Sequence, residues 1–382
     1  MNYRQPAEAF PPGEFLRDEL EARGWNQAEF ADIIGRPARL VSEILAGKRG
    51  ITPETAIAIA AALGTSPEFW MNLDASYQLF RSQPAPERIA KEAALREKFP
   101  VREMIKRGWI QASQNYDVLE SSVFAFFGIN SIDESPELVH AARRNYSETL
   151  SPLQIAWLFR VKQLASAVQM AKYNEQKLRN ALTSLEALMT APEEIRHVPK
   201  ILAECGVRLV IVEPIPGSKI NGACFWLNKG APVIGLTVRG DCIDRFWFDL
   251  RHEIEHVLRQ DGQASAIIDD DDLVVSEGSN VSEAENAANK AARDFCVPDK
   301  DMTSFIIRLD PIYSEENLIG FSRLIKRHPG IVAGQLQHRT NKWSLFRKHQ
   351  VKVRQVITQS ALTDGYGVIT SLAIDGGRNG HL

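Results

Sequence analysis

The chain has 382 residues, 44% of them hydrophobic and 24% charged, with a formal net charge of −3. Such a length suits two or three domains, and such a balance is that of a folded globular protein, which excludes an extended disordered chain. No apolar run approaches the roughly 20 residues that span a bilayer, and no global basic excess exists to bind nucleic acid, so any DNA contact must come from a local patch. The opening Met1-Asn2-Tyr3-Arg4-Gln5-Pro6 lacks the apolar core of a signal peptide, so a cytoplasmic location with no membrane partner is expected. Cys205, Cys224, Cys242 and Cys296 form no C-x-x-C pair and read as small buried hydrophobes.

Residues 1–80 are expected to form a five-helix domain. Gly24 ends the amphipathic run 14–23, Asn26 caps a helix over 27–34 that stops at Gly35, and a third runs over 37–46 to Gly47. Thr52-Pro53-Glu54 and Ser66-Pro67-Glu68 open two more, each with a hydroxyl cap, a proline at the first helical position and an acid facing the helix dipole. A short second helix, a glycine turn and a third helix free to enter a major groove make a helix-turn-helix. This stretch carries seven basic against eleven acidic residues. Yet Arg36, Arg39, Lys48 and Arg49 bracket the third helix with only Glu43 opposing them, the local strip that phosphate contact needs.

The segments Asn26-Gln27-Ala28-Glu29-Phe30-Ala31, Val41-Ser42-Glu43-Ile44-Leu45-Ala46-Gly47-Lys48-Arg49 and Ile51-Thr52-Pro53-Glu54-Thr55-Ala56 resemble the Cro/C1-type (Xre) helix-turn-helix. With the closing run 63–73 they resemble its HigA-like antitoxin branch, over about 60 residues. The resemblance implies that double-stranded operator DNA is the partner and that Gln27 grips a phosphate. It also implies that Ala38, Arg39 and Ser42 face base edges, with Arg39 able to read a guanine bidentately. Pro37 and Leu40 stand where the family more often has polar residues.

Gln83-Pro84-Ala85-Pro86 marks a break, after which residues 87–195 read as mostly helical. Ser135-Pro136-Glu137 and Ser151-Pro152 open further helices, and 152–188 reads as two. Arg143-Arg144 and the cluster from Lys172 to Arg179 could touch DNA or a partner, but a solvated helix face explains them as well. This middle is expected to be a spacer, a packing platform or a dimer interface.

From 195 the pattern changes. A helix over 195–205 closes at Gly206, and strands are expected at 207–212, 223–227 and 232–237. The next helix, 244–260, carries His252-Glu253-Ile254-Glu255-His256. Histidines at i and i+4 share one helix face about 6 Å apart along the axis. Both can therefore hold one zinc ion (Zn2+), with Glu253 as general base; a structural helix carrying two histidines by chance is the alternative. A third ligand must come from downstream. His328, His338, His349 and His381 lie far along the chain, whereas Glu283 and Glu285 begin an alanine-rich helix over 283–295 able to pack closely on the first.

Several of these residues resemble the ImmA/IrrE metallopeptidases over about 195–345: Gly206-Val207, Gly222-Ala223, Pro232-Val233-Ile234, Phe246-Trp247-Phe248, the H-E-x-x-H motif, Glu285-x-x-Ala288-Asn289-x-Ala291-Ala292 before Pro298, and Gly330-Ile331-Val332-Ala333-Gly334-Gln335-Leu336-Gln337-His338. The resemblance implies a zincin-like domain and singles out Glu285 over Glu283. It offers His338 as a group that orients substrate or stabilises an oxyanion, a structural histidine being the alternative. Ala291 stands where the family has a phenylalanine.

The expected fold class is thus α+β, mostly α. It comprises a helix-turn-helix domain (1–80), a helical linker or platform (81–194), a zincin-like domain with a small β-sheet (195–350) and a poorly ordered tail (351–382). The two resemblances imply a homodimeric DNA-binding transcription regulator, antitoxin- or phage-repressor-like. Its zinc endopeptidase domain would act on itself or on a protein partner, a toxin or repressor, in a stress, phage or toxin–antitoxin response. The alternative is a non-proteolytic antitoxin that keeps the zincin fold as a sensor or toxin-binding surface.

Overall fold

The computed structural model describes residues 10–81, 86–136, 150–263, 266–270 and 283–370. The chain divides into two compact units, Met1–Ala93 and Ala94–Leu382, and the architecture is mostly helical α+β with a helix-turn-helix at the N-terminus. None of the described helices is long and apolar enough to cross a membrane.

The first unit contains α1 (Pro12–Arg23), α2 (Gln27–Ile33), α3 (Ala38–Leu45), α4 (Pro53–Leu63) and α5 (Pro67–Arg81). The caps act as the residue types dictate. Asn26 Oδ1 accepts the amides of Ala28 and Glu29 at 2.9 and 3.0 Å, while Glu29 accepts the Asn26 amide at 2.8 Å, a reciprocal capping box. Leu16, Phe30, Ile59 and Trp70 are wholly buried, and the Trp70 indole donates to Thr65 Oγ1 at 2.8 Å. Gly13 is where α1 touches α3: a Cβ there would lie 2.2 Å from the Ile44 carbonyl oxygen and 2.7 Å from Leu45 Cα. Because both are backbone atoms that cannot swing away, Gly13→Ala should destabilise this unit by about 1–3 kcal/mol. A urea titration of the full chain that left the first transition unmoved would refute that close approach.

In the second unit, five strands form a mixed sheet: β1 (Arg208–Val212), β2 (Ile220–Trp226), β3 (Pro232–Leu236), β4 (Ile267–Asp270) and β5 (Leu362–Asp364). The order is β4-β2-β3-β1-β5, with β2 antiparallel to both neighbours and β1 parallel to both of its own. Both faces are covered. Val210, Val212, Ala223 and Phe225 pack with α7 (Val101–Lys106), α8 (Tyr116–Phe127) and α9 (Pro152–Ser166). The alternate residues Leu209, Ile211, Cys224 and Trp226 pack with α10 (Glu175–Leu188), α11 (Val198–Glu204) and α12 (Ile243–Arg259). A strand buried on both sides reads as an almost continuous apolar run, which is why β1 to β3 were recognisable without strict alternation. Beyond α12 come α13 (Glu283–Cys296), α14 (Asp299–Leu309), α15 (Glu315–Leu324), α16 (Pro329–Thr340) and α17 (Arg354–Ser360), while α6 (Pro86–Lys98) spans the boundary between the units.

The structure adds to or departs from the expectations at several places. Compactness divides the chain once, between Ala93 and Ala94, whereas the expected boundaries lie at 80/81 and 194/195. Helix α9 lies directly on the sheet, its Trp157 indole donating to the Val212 carbonyl at 3.1 Å and Gly235 leaving room for Trp157 and Val161. The helix expected over 195–205 starts as a 3-10 turn, Pro192–His197, and becomes α only at Val198. Pro199 has no amide to give the preceding turn, so a continuous helix would break there. The expected tail is ordered to residue 370: α17 leads into β5, whose Asp364 is buried and accepts from Arg160 Nε at 2.6 Å and Trp109 Nε1 at 2.7 Å. Finally, β4 had not been foreseen, because an Asp-Asp ending disfavours a strand. Most of the helix expected from Ser135, together with Arg143-Arg144, His381 and 371–382, lies outside the described residues.

Candidate metal centre and nucleic-acid interface

In the first unit most of the residues expected to contact DNA are exposed. Gln27, Ala38, Arg39, Ser42, Lys48 and Arg49 are exposed and Arg36 is half-buried. Glu43 is more than a lone opposing acid: it accepts from Arg39 Nε at 2.8 Å and Arg49 Nη1 at 3.2 Å, and those two guanidinium groups hold its carboxyl below the usual range. Arg39 engages Glu43 through Nε alone, and its side chain is 88% exposed. Leu40 is half-buried against the core, which accounts for an apolar residue at that position.

In the second unit, α12 and α13 pack together. Helix α12 turns His252, Glu253 and His256 inward, each 1% exposed or less. Small residues at Ala288 and Ala292, both wholly buried, let α13 approach closely enough to bring in Glu285. Glu285 Oε2 stands 3.2 Å from His252 Nε2, its Oε1 stands 3.5 Å from His256 Nε2, and the two Nε2 atoms are 3.1 Å apart. Glu285 is 4% exposed, whereas Glu283, two residues earlier and on another face, is exposed.

The far sides of both rings are occupied. His252 Nδ1 lies 3.1 Å from Asn289 Oδ1, and His256 Nδ1 lies 3.1 Å from Asp261 Oδ2. The Asp261 carboxylate and the Asn289 amide oxygen are both acceptors, so with Nδ1 donating to them the neutral form of each ring would turn an Nε2 lone pair towards Glu285. Two ring nitrogens and a carboxylate thus converge within 3.1–3.5 Å of one another. That arrangement demands a positive charge, which a divalent metal supplies. The chemistry of the donor set, two imidazoles and one carboxylate, fits zinc.

The surrounding charges make the same demand. Burial alone would lower the pKa of His252, but its hydrogen bond to Glu285 and the carboxylates of Asp269, Glu253 and Glu285 outweigh burial and bring it up to about 10. Burial, and then Asp269, push Asp249 up to about 7. Burial holds Glu253 well above the carboxylate range, and its Oε2 meets no hydrogen-bond partner. Without a cation, protons on these groups supply the missing positive charge.

Several residues of this centre were not singled out in advance. Asn289 follows Glu285 by four residues, one turn along the same face, so its placement was available from helix periodicity. Asp261 is placed by a left-handed turn at Gln260, φ 60°, and Gly262 then runs so close to β2 that a Cβ would sit 2.7 Å from the Cys224 carbonyl oxygen. Asp269 of β4 has an oxygen near both His252 and Glu253. By contrast, His338 is exposed near the end of α16, edge-on to Trp343 with ring centroids 6.0 Å apart, and is not among the converging donors. Of the cysteines, Cys205, Cys224 and Cys296 are buried and Cys242 is half-buried, all as free thiols.

Comparison with known proteins bears on the first unit. Residues 16–70 match the helix-turn-helix family HTH_3. The chain is 31% identical over 72 residues to the uncharacterized HTH-type transcriptional regulator YddM of Escherichia coli K12, spanning 77% of that protein and 19% of this one. It is 35% identical over 80 residues to antitoxin HigA-1 of Vibrio cholerae, spanning 75% of that protein and 21% of this one. A solved structure of Pseudomonas aeruginosa antitoxin HigA with higBA promoter shares 36% identity, covering 83% of that chain and 20% of this one at a TM-score of 0.19. Through its N-terminal unit the chain belongs to the family of HTH-type regulators that includes HigA antitoxins.

Proposed function

We propose that this chain is a DNA-binding, repressor- or antitoxin-like regulator whose second unit is a zinc endopeptidase acting on the chain itself or on a partner regulator. Kinship with HTH-type regulators and an exposed Arg39–Ser42 face beside Lys48 and Arg49 support the DNA half. One observation carries the peptidase half: His252, His256 and Glu285 bring three potential ligand atoms together at 3.1–3.5 Å, with Glu253 buried beside them. The resemblance of 195–345 to ImmA/IrrE metallopeptidases agrees with that reading.

His252, His256 and Glu285 would hold the zinc, and Asn289 and Asp261 would fix both ring orientations. When bound there, zinc supplies Lewis-acid polarisation of a scissile carbonyl. Glu253 acts from the adjoining turn face: its unpartnered Oε2 takes the proton of the attacking water and returns it to the leaving amine. Burial raises the Glu253 carboxyl above the usual carboxylate range, the direction that makes it a stronger proton acceptor.

Glu253→Gln is the test. The variant should keep its zinc, and cleavage of a co-expressed repressor or toxin should fall by about 10²–10⁴-fold, the range of general-base catalysis. A second reading, a zinc-holding sensor without proteolysis, is favoured by one fact: all four residues are 4% exposed or less, whereas a catalytic metal keeps an open position. Intact zinc binding with no cleavage by the parent chain would decide for the sensor.

For DNA, we propose that a homodimer binds two half-sites. With duplexes selected from a random pool, Arg39→Ala should weaken the preferred sequence by about 10–100-fold, corresponding to about 1–3 kcal/mol. Lys48→Ala and Arg49→Ala should weaken all sequences alike and lower the salt slope by about one each. Equal losses across sequences for Arg39→Ala would remove it from base readout.

A further inference from the structure

We propose that the second unit has another binding site, for a small anion with an apolar body, in a cleft at the β1–β5 side of the sheet. The cleft has a volume of about 290 Å³, at the lower end of the roughly 300–1,000 Å³ typical of small-molecule sites. Leu209 of β1 and Leu362 of β5 form part of its apolar lining, Ala203 of α11 contributes one wall, and Lys200 and Arg208 supply its charge. No lining residue is acidic. In the sheet, β1 and β5 lie at the end opposite β4, the strand that brings Asp269 to the metal donors, so this cleft is a place of its own.

Arg208 carries the inference. Its Nε donates to the Ala165 carbonyl at 3.2 Å and its Nη2 to the Val168 carbonyl at 3.3 Å, while its buried Nη1 has no partner. Those carbonyls at the end of α9 fix the plane of the guanidinium but leave a full positive charge without a carboxylate. Neither Arg208 nor Lys200 forms an ion pair among the described residues. Burial pulls the Arg208 pKa below its usual value, as expected for a cation partly removed from water with no counter-ion. An anionic head beside the exposed Lys200, near the Arg208 charge, would restore that balance, and an apolar body would cover Leu209 and Leu362. A charge-assisted contact and apolar burial at one site are the usual make-up of a small-ligand pocket.

The test uses the full-length chain with octanoate, octylamine and inorganic phosphate as probes, read by calorimetry and by thermal unfolding. Octanoate should bind at one site per chain and raise the unfolding midpoint in proportion to its concentration. Octylamine, with the wrong charge, and phosphate, with no apolar body, should each bind at least tenfold more weakly. Lys200→Glu and Ala203→Phe should each weaken octanoate at least tenfold. Lys200 is exposed and Ala203 half-buried, so both changes should leave the unliganded midpoint near the parent's. Octanoate binding that is unsaturable, matched by octylamine, or unchanged in Ala203→Phe would overturn the site.

Discussion

Purified without added metal, the chain is expected to carry about one zinc, and His252→Ala, His256→Ala and Glu285→Ala should each carry almost none. Glu283→Ala should keep it. The contrast follows from helix geometry. Glu283 sits two residues before Glu285, which turns it about 200° away around α13, and it is exposed where Glu285 is buried. Removing one of three converging donors also leaves the other two in a pocket with too few ligands for a tetrahedral site. The partners behind the rings should matter less. Asn289→Ala and Asp261→Ala each free one imidazole to rotate or change tautomer, and a loss of about 10–100-fold in zinc affinity is expected. Metal content by elemental analysis and competition with a chromophoric chelator measure both effects. Zinc retained in Glu285→Ala would contradict the assignment of the third donor. An absence of zinc from the parent, with DNA binding intact, would leave a repressor with an unrelated second unit.

How far the sequence could be read depends on how local each cause is. The pair His252 and His256 is set by one helix turn, and the caps at Asn26, Thr52 and Ser151 by three residues each, so spacing alone was enough. The alanine-rich α13 offered Glu283 and Glu285 alike, and only the resemblance to the ImmA/IrrE pattern chose Glu285. Asp261 is different: it reaches His256 because a non-glycine residue, Gln260, adopts a left-handed turn, and the docking of Gly262 on β2 holds that turn in place. Nothing within the four residues themselves announces this. The same holds for β5. Three residues are too few for a period, and their pairing with β1 rests on Asp364 meeting Arg160 from more than 200 positions away. Trp157 gave a usable signal that was read too weakly. A helix apolar on nearly all sides, such as 156–161, is buried on nearly all sides, so α9 had to be a layer of a core.

Gly222→Ala is expected to lower cleavage by about 10²-fold while leaving zinc in place, within the range expected for changing the base itself. Gly222 lies in β2 opposite Asp269 of β4 and Leu236 of β3. A Cβ at that point would sit 2.4 Å from Glu253 Oε1 and 3.1 Å from Leu236 Cδ2, so the missing side chain is the space that Glu253 occupies. Leu236 is buried and cannot retreat, and the carboxylate must move instead. A misplacement of about 1 Å at a reacting group lowers rates by about 10²-fold, and here the group displaced is the proposed proton acceptor. The histidines point elsewhere, towards Glu285 and α13, so metal content should match the parent. Gly230→Ala is the control, since its nearest neighbour would be Asn228 Oδ1 at 3.8 Å, and it should cleave normally. The two variants also separate the two readings of this unit. In a peptidase, Gly222→Ala and Glu253→Gln fail together with zinc retained; in a zinc sensor, neither change alters the response, because nothing there depends on where that carboxylate stands.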